Sequence, residues 1–93
     1  MDFDSYTYYS IESVSSSYDR ATGKHNKDNF VTISKFDYYK ETYTRLIQEA
    51  AKFLSAHPGS EVGIMKEDAI GITYDQNTPV EKYQFFMVTK HKP

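Results

Sequence analysis

Histidines, clustered carboxylates, serines and a glycine-flanked lysine are the residues of this chain that could do chemistry, and their spacing limits what chemistry that is. His25, His57 and His91 lie far apart, with no second histidine or acid at the spacing of a ligand pair. Helices and hairpins announce metal sites through such pairs, so the expectation is capping or surface roles, no metal and no cofactor. Glu67 and Asp68 could act as acid and base. Adjacent strand or turn residues point apart, however, and residues 66–69 read as a solvated hairpin tip with no apolar pocket to shift a carboxyl pKa. Serine is plentiful, but none stands in a Gly-x-Ser-x-Gly turn and no histidine is placed by sequence to activate one. Thr22-Gly23-Lys24 lacks the other parts of a phosphate loop: Tyr18 stands where a glycine is needed, and His25 where Ser or Thr is needed. The expectation is a protein that is not an enzyme.

Residues suited to binding are more abundant. Aromatic content is 16%, from nine tyrosines and six phenylalanines without tryptophan. A tyrosine buries a large ring at small entropy cost and keeps a hydroxyl for water or a partner, which is why interfaces are rich in it. Charge is nearly balanced, with 11 Lys plus Arg against 13 Asp plus Glu, but unevenly spread. Residues 61–81 carry Glu61, Glu67, Asp68, Asp75 and Glu81 against Lys66, while residues 18–35 carry Arg20, Lys24, Lys27 and Lys35 against Asp19 and Asp28. An acidic end and a basic end are expected from this. One binding surface is then Glu67, Asp68 and Asp75 facing a basic groove on another protein, with Tyr8, Tyr18 and Tyr74 as anchors. The alternative is nucleic acid, with Arg20, Lys24, His25 and Lys27 on phosphates and Tyr18 stacked on a base. A small-ligand protein or an enzyme without a recognisable motif is the remaining alternative.

The elements that must position these residues follow from periodicity. Residues 6–14 alternate as a strand; residues 15–29, polar and turn-rich, read as a long polar loop; residues 30–33 read as a second strand that could close a hairpin across it. Tyr39, Tyr43, Leu46, Ile47, Ala50 and Leu54 form one stripe of a helix, started by a cap from Ser34 or Asp37 and stopped by His57-Pro58-Gly59. Residues 62–65 and 70–74 read as a hairpin, residues 75–79 as a turn, and residues 80–89 as a last strand. Tyr83, Phe85 and Met87 lie on one side of that strand and Phe86 and Val88 on the other, as in a central strand or an exposed apolar patch. The fold class expected is α+β: a single antiparallel sheet of about five strands with one amphipathic helix packed on one face, in the order β-β-α-β-β-β.

At 93 residues without cysteine, one domain over residues 1–93 is expected, held by packing alone and without a deep enclosed cavity. The longest apolar run is Phe85-Phe86-Met87-Val88, far short of the roughly 20 residues of a membrane span. The start, Met1-Asp2-Phe3-Asp4, is acidic rather than basic and apolar, so a cytoplasmic protein is expected. In size and composition the chain resembles the very small, cysteine-free, partner-binding inhibitors that phages and mobile elements encode against host nucleoprotein machinery, anti-CRISPR proteins among them. No motif carries that likeness, so it transfers no functional residue. The expected partner is another protein, with nucleic acid as the alternative and no membrane. Either residues 31–33 or the last strand could lie at a sheet edge and pair with a second copy.

Overall fold

Two twelve-residue strands, β1 (Tyr8–Asp19) and β6 (Val80–His91), pair antiparallel along their whole length, from Tyr8↔His91 to Asp19↔Val80. A computed structural model describes residues 6–93, so the reading of Met1-Asp2-Phe3-Asp4 lies outside the described residues. On one side of this ladder β5 (Ala69–Tyr74) pairs with β6, and β4 (Glu61–Lys66) with β5. On the other side, β2 (Lys24–Lys27) and β3 (Val31–Phe36) divide the far edge of β1 between them. Among the described residues all pairings are antiparallel, and the single helix α1 (Tyr39–Ala56) packs on one face, touching β1, β3, β5 and β6. The α+β class and its layout therefore stand, with six strands where about five were expected.

The additional strand comes from residues 15–29, which are not a long loop. β1 runs on through Ser15, Ser16 and Ser17 to Asp19, and β2 folds back with Ser16↔Lys27 and Asp19↔Lys24. Serine has little intrinsic preference for strands, so the extension depends on the partner across it. Gln84 of β6, itself buried, accepts from Ser15 Oγ at 2.6 Å and donates to Ser13 Oγ at 2.8 Å. The arm reverses at residues 20–23, where Asp19 Oδ1 accepts from the Ala21 N–H at 2.9 Å and Gly23 takes a positive φ of 72°.

Alternation along the strands divides the sheet into a covered and an open face. Ile11, Ile70, Ile72 and Phe86 point at the helix and form the buried core with Leu46 and Ala50. Around it pack Ile33, Phe36, Ile47, Phe53, Leu54 and Val88. The buried line of the helix is Thr42, Leu46 and Ala50, so the apolar stripe is centred one residue before Tyr43, which is exposed. Neither expected cap holds the helix start. Tyr38 occupies the cap position without a side-chain bond, Ser34 is paired within β3, and Asp37 Oδ1 accepts instead from the Tyr6 hydroxyl at 2.8 Å. The helix stop follows the sequence reading: the His57 N–H donates to Phe53 O at 3.1 Å, and Gly59 turns the chain at φ 86°.

On the open face the Phe85 ring lies directly over Gly71. An added methyl at Gly71 would meet that ring at 2.9 Å, whereas one at Gly63 would meet Thr73 Oγ1 at an ordinary 3.5 Å. Gly71→Ala is therefore expected to destabilise the fold by about 1–3 kcal/mol through overpacking. Gly63→Ala is expected to stay within about 0.5 kcal/mol of the wild type. Urea unfolding of the two variants checks the contrast, and equal effects would contradict the packing described.

Candidate functional site

The residues expected to bind a partner do not come together. The β4–β5 turn carries Glu67 and Asp68, exposed as expected, at the end of the sheet where β1 begins with Tyr8. Tyr18, Tyr74 and Asp75 lie at the other end, and Tyr18 and Tyr74 project from opposite faces. All three tyrosines are half-buried against rings of their own chain. Tyr8 stacks on His91 at 4.4 Å, Tyr18 leans on His25 at 4.6 Å, and Tyr74 meets Phe53 at 5.0 Å and His57 at 4.9 Å.

Nor do the charges segregate into an acidic and a basic end. The β5–β6 turn brings Asp75 and Glu81 to the end that holds Arg20 and Lys24, because β5 and β6 run antiparallel. There Arg20 Nη2 pairs with Glu81 Oε2 at 3.3 Å, Arg20 Nη1 donates to Thr78 O at 2.8 Å, and Lys82 Nζ pairs with Asp75 Oδ2 at 3.3 Å. Lys24, His25 and Lys27 are exposed on β2, with Lys27 over the Phe30 ring at 4.9 Å. A base stacking on Tyr18 would have to displace His25.

The fold does bring together a serine and a histidine that are 81 positions apart, which no local spacing could reveal. Ser10 Oγ lies 2.8 Å from His91 Nε2 and 2.8 Å from Glu12 Oε1, and the Thr32 hydroxyl donates to the same carboxylate at 3.0–3.1 Å. The proton count decides what this cluster can do. Ser10 has one proton and gives it to the carboxylate, so the imidazole must donate its Nε2–H to Ser10 Oγ. A serine nucleophile needs the reverse, a histidine nitrogen accepting from the hydroxyl. Ser10 is moreover fully buried. The chain His91, Ser10, Glu12, Thr32 acts as a polar clip joining β6, β1 and β3 on the open face. Among the described residues no three of His, Asp and Glu gather as a metal-binding group.

A surface of another kind lies along the outer edge of β3. Ser34, Lys35 and Phe36 form one wall of a groove of about 750 Å³; Lys40, Glu41, Thr44, Arg45 and Gln48, one flank of α1, form the other. Three of these side chains are cations and one is an anion. Arg45 Nε lies 2.9 Å from Glu49 Oε1 but off the direction of its N–H, so charge holds that pair rather than a directed hydrogen bond. Among the described residues no strand pairs with the outer edge of β3, and Phe30 and Val31 at its start are exposed. Residues 31–33, a candidate edge from the sequence, lie on this strand; the groove has no local sequence signal, because the helix flank of Lys40 and Arg45 becomes a wall only where α1 packs beside β3. In comparisons with known proteins, no family model, curated protein or solved structure matches this chain.

Tyr39, Tyr74 and Tyr83 all hold their protons above the ordinary value of 10.0, chiefly because burial disfavours the phenolate. The nearby Glu67 charge adds to this at Tyr39, and Lys82 opposes it at Tyr74. A pKa raised by folding contributes stability that is complete below the unfolded value and lost as pH rises through the folded one. The urea midpoint is therefore expected to fall once pH passes about 10, with part of the tyrosine absorbance change delayed beyond that pH. Ionisation of the whole set at the ordinary value, with no loss of stability, would contradict it. Ser10→Ala, which leaves His91 Nε2 without this partner and Glu12 with the Thr32 hydroxyl alone, is expected to cost about 1–3 kcal/mol in urea unfolding. No change would mean that the clip does not contribute.

Proposed function

We propose that this chain is a non-enzymatic protein-binding module that takes an extended, acidic segment of a partner protein into the groove between β3 and α1. The observation that carries this reading is the coincidence of a strand edge with which, among the described residues, no other strand pairs and a groove of about 750 Å³ beside it whose α1 wall carries Lys40 and Arg45. A strand's unpaired N–H and C=O groups are a template for an incoming strand, which gains main-chain hydrogen bonds while its alternate side chains drop to one face. On the helix side those side chains meet Lys40 and Arg45. Carboxylates there gain Coulomb attraction, and one of them can replace Glu49 beside Arg45. Exposed Phe30 and Val31 extend the surface with apolar area. The likeness in size and composition to inhibitors of nucleoprotein machinery is compatible with such a partner and adds no residue to the groove.

Selection of random peptides of roughly eight residues, long enough to span a strand of this length, tests the proposal directly. Recovered peptides are expected to be rich in Asp and Glu, to bind less tightly as salt rises, and to be lost to Lys40→Glu combined with Arg45→Glu. Neutral or basic peptides, or binding that survives the charge reversal, would overturn it. An oligonucleotide arm at low salt accompanies the selection. Oligonucleotide binding abolished by Arg20→Ala, Lys24→Ala and Lys27→Ala would move the function to the β1–β2 arm.

A further inference from the structure

At the other end of the sheet from β2 and β3, no strand among the described residues pairs with the outer edge of β4, whose six residues are all exposed. Val62 and Ile64 are each 46% exposed and Met65 is 69% exposed, so this edge presents apolar side chains to water. From the order of charges along it, we infer that β4 pairs antiparallel with β4 of a second copy of this chain about a two-fold axis. The strand reads Glu61, Val62, Gly63, Ile64, Met65, Lys66, with an acid at one end and a base at the other. A two-fold centred between Gly63 and Ile64 sets Glu61 opposite Lys66 of the second copy, Val62 opposite Met65, and Gly63 opposite Ile64. Each contact then occurs twice, as an isologous interface requires.

The faces agree with this register. Opposite residues of an antiparallel pair lie on the same side of the sheet. The bulge between Val62 and Ile64 leaves Val62↔Ile72 and Met65↔Ile70 on the helix side, and Glu61↔Thr73 and Lys66↔Ala69 on the open side. Glu61 and Lys66 therefore share a face, as do Val62 and Met65. Without the bulge, Glu61 and Lys66 would fall on opposite faces. Glycine at position 63 leaves room for Ile64 of the other copy, so the two bulges meet without a clash. The β3 edge offers no such match: the same operation there sets Lys35 opposite Thr32, with no opposite charge. Pairing through β4 makes one continuous sheet and leaves both β3 grooves free at its outer ends, so this inference does not depend on what occupies the groove.

Sedimentation velocity over a concentration series tests it, on the wild type, Glu61→Lys, Lys66→Glu and the double exchange, each with its fold checked by circular dichroism. The wild type is expected to dimerise with rising concentration. Either single reversal places like charges opposite each other twice and is expected to weaken the dimer about tenfold or more. The double exchange restores opposite charges in the same register and is expected to recover it. A wild type that stays monomeric throughout, a dimer indifferent to both single reversals, or a double exchange that fails to recover association would each overturn the inference.

Discussion

The register between β1 and β6 is the constraint on which the rest of the molecule depends. Twelve successive pairs fix which side chain of each strand faces the helix, and a slip by one residue would exchange the two faces completely. In the observed register Ile11 stands opposite Val88 and Ser13 opposite Phe86, so the helix meets an apolar patch at mid-sheet. Further along, Gln84 falls between Ser13 and Ser15, and its amide binds both hydroxyls. A buried amide needs such partners, so Gln84 favours this alignment over its neighbours. β5 and β3 then inherit their facing from β6 and β1.

One helix cannot cover a sheet whose central strands are twelve residues long. The open face is consequently closed by smaller means: the Phe85 ring over Gly71, Tyr8 stacked on His91, and the polar clip from His91 through Ser10 and Glu12 to Thr32. Aromatic and hydrogen-bonding side chains suit this half-wet surface because they bury ring area and still find partners for their polar ends. Tyr8, Tyr18 and Tyr83 are used in this way on the open face, while Tyr74 packs on the helix side. Tyr8, Tyr18 and Tyr74 are each engaged by a ring of the same chain, whereas the exposed tyrosines are Tyr38 and Tyr43 at the start of the helix.

A small open sheet also leaves edges. Here they differ: β3 lies beside a groove with cationic walls, and β4 carries a self-complementary order of charge. A strand edge supplies affinity through its main chain and leaves specificity to the side chains around it, so two edges on one sheet can recognise different things.

Periodicity and punctuation in the sequence were enough to place the helix from Tyr39, its stop at His57-Pro58-Gly59, the β4–β5 hairpin with Glu67 and Asp68 at its tip, and β6 as an interior strand with apolar residues on both faces. These are local properties, legible because the spacing of apolar residues and the backbone limits of proline and glycine act within a few positions. The last strand as a sheet edge, the acidic and basic ends, the caps from Ser34 or Asp37, and residues 15–29 as a loop all failed, for one reason. Each depended on which strand lies next to which, or on what is available to hydrogen-bond across the sheet. Three consecutive serines look like a loop until Gln84 and β6 stand opposite, and Asp75 and Glu81 look distant from Arg20 until antiparallel pairing brings their end of the sheet alongside. The contact of Ser10 with His91, 81 positions apart, belongs to the same class, and the groove of Lys40 and Arg45, though built from neighbouring stretches of sequence, likewise exists only through the way α1 packs beside β3.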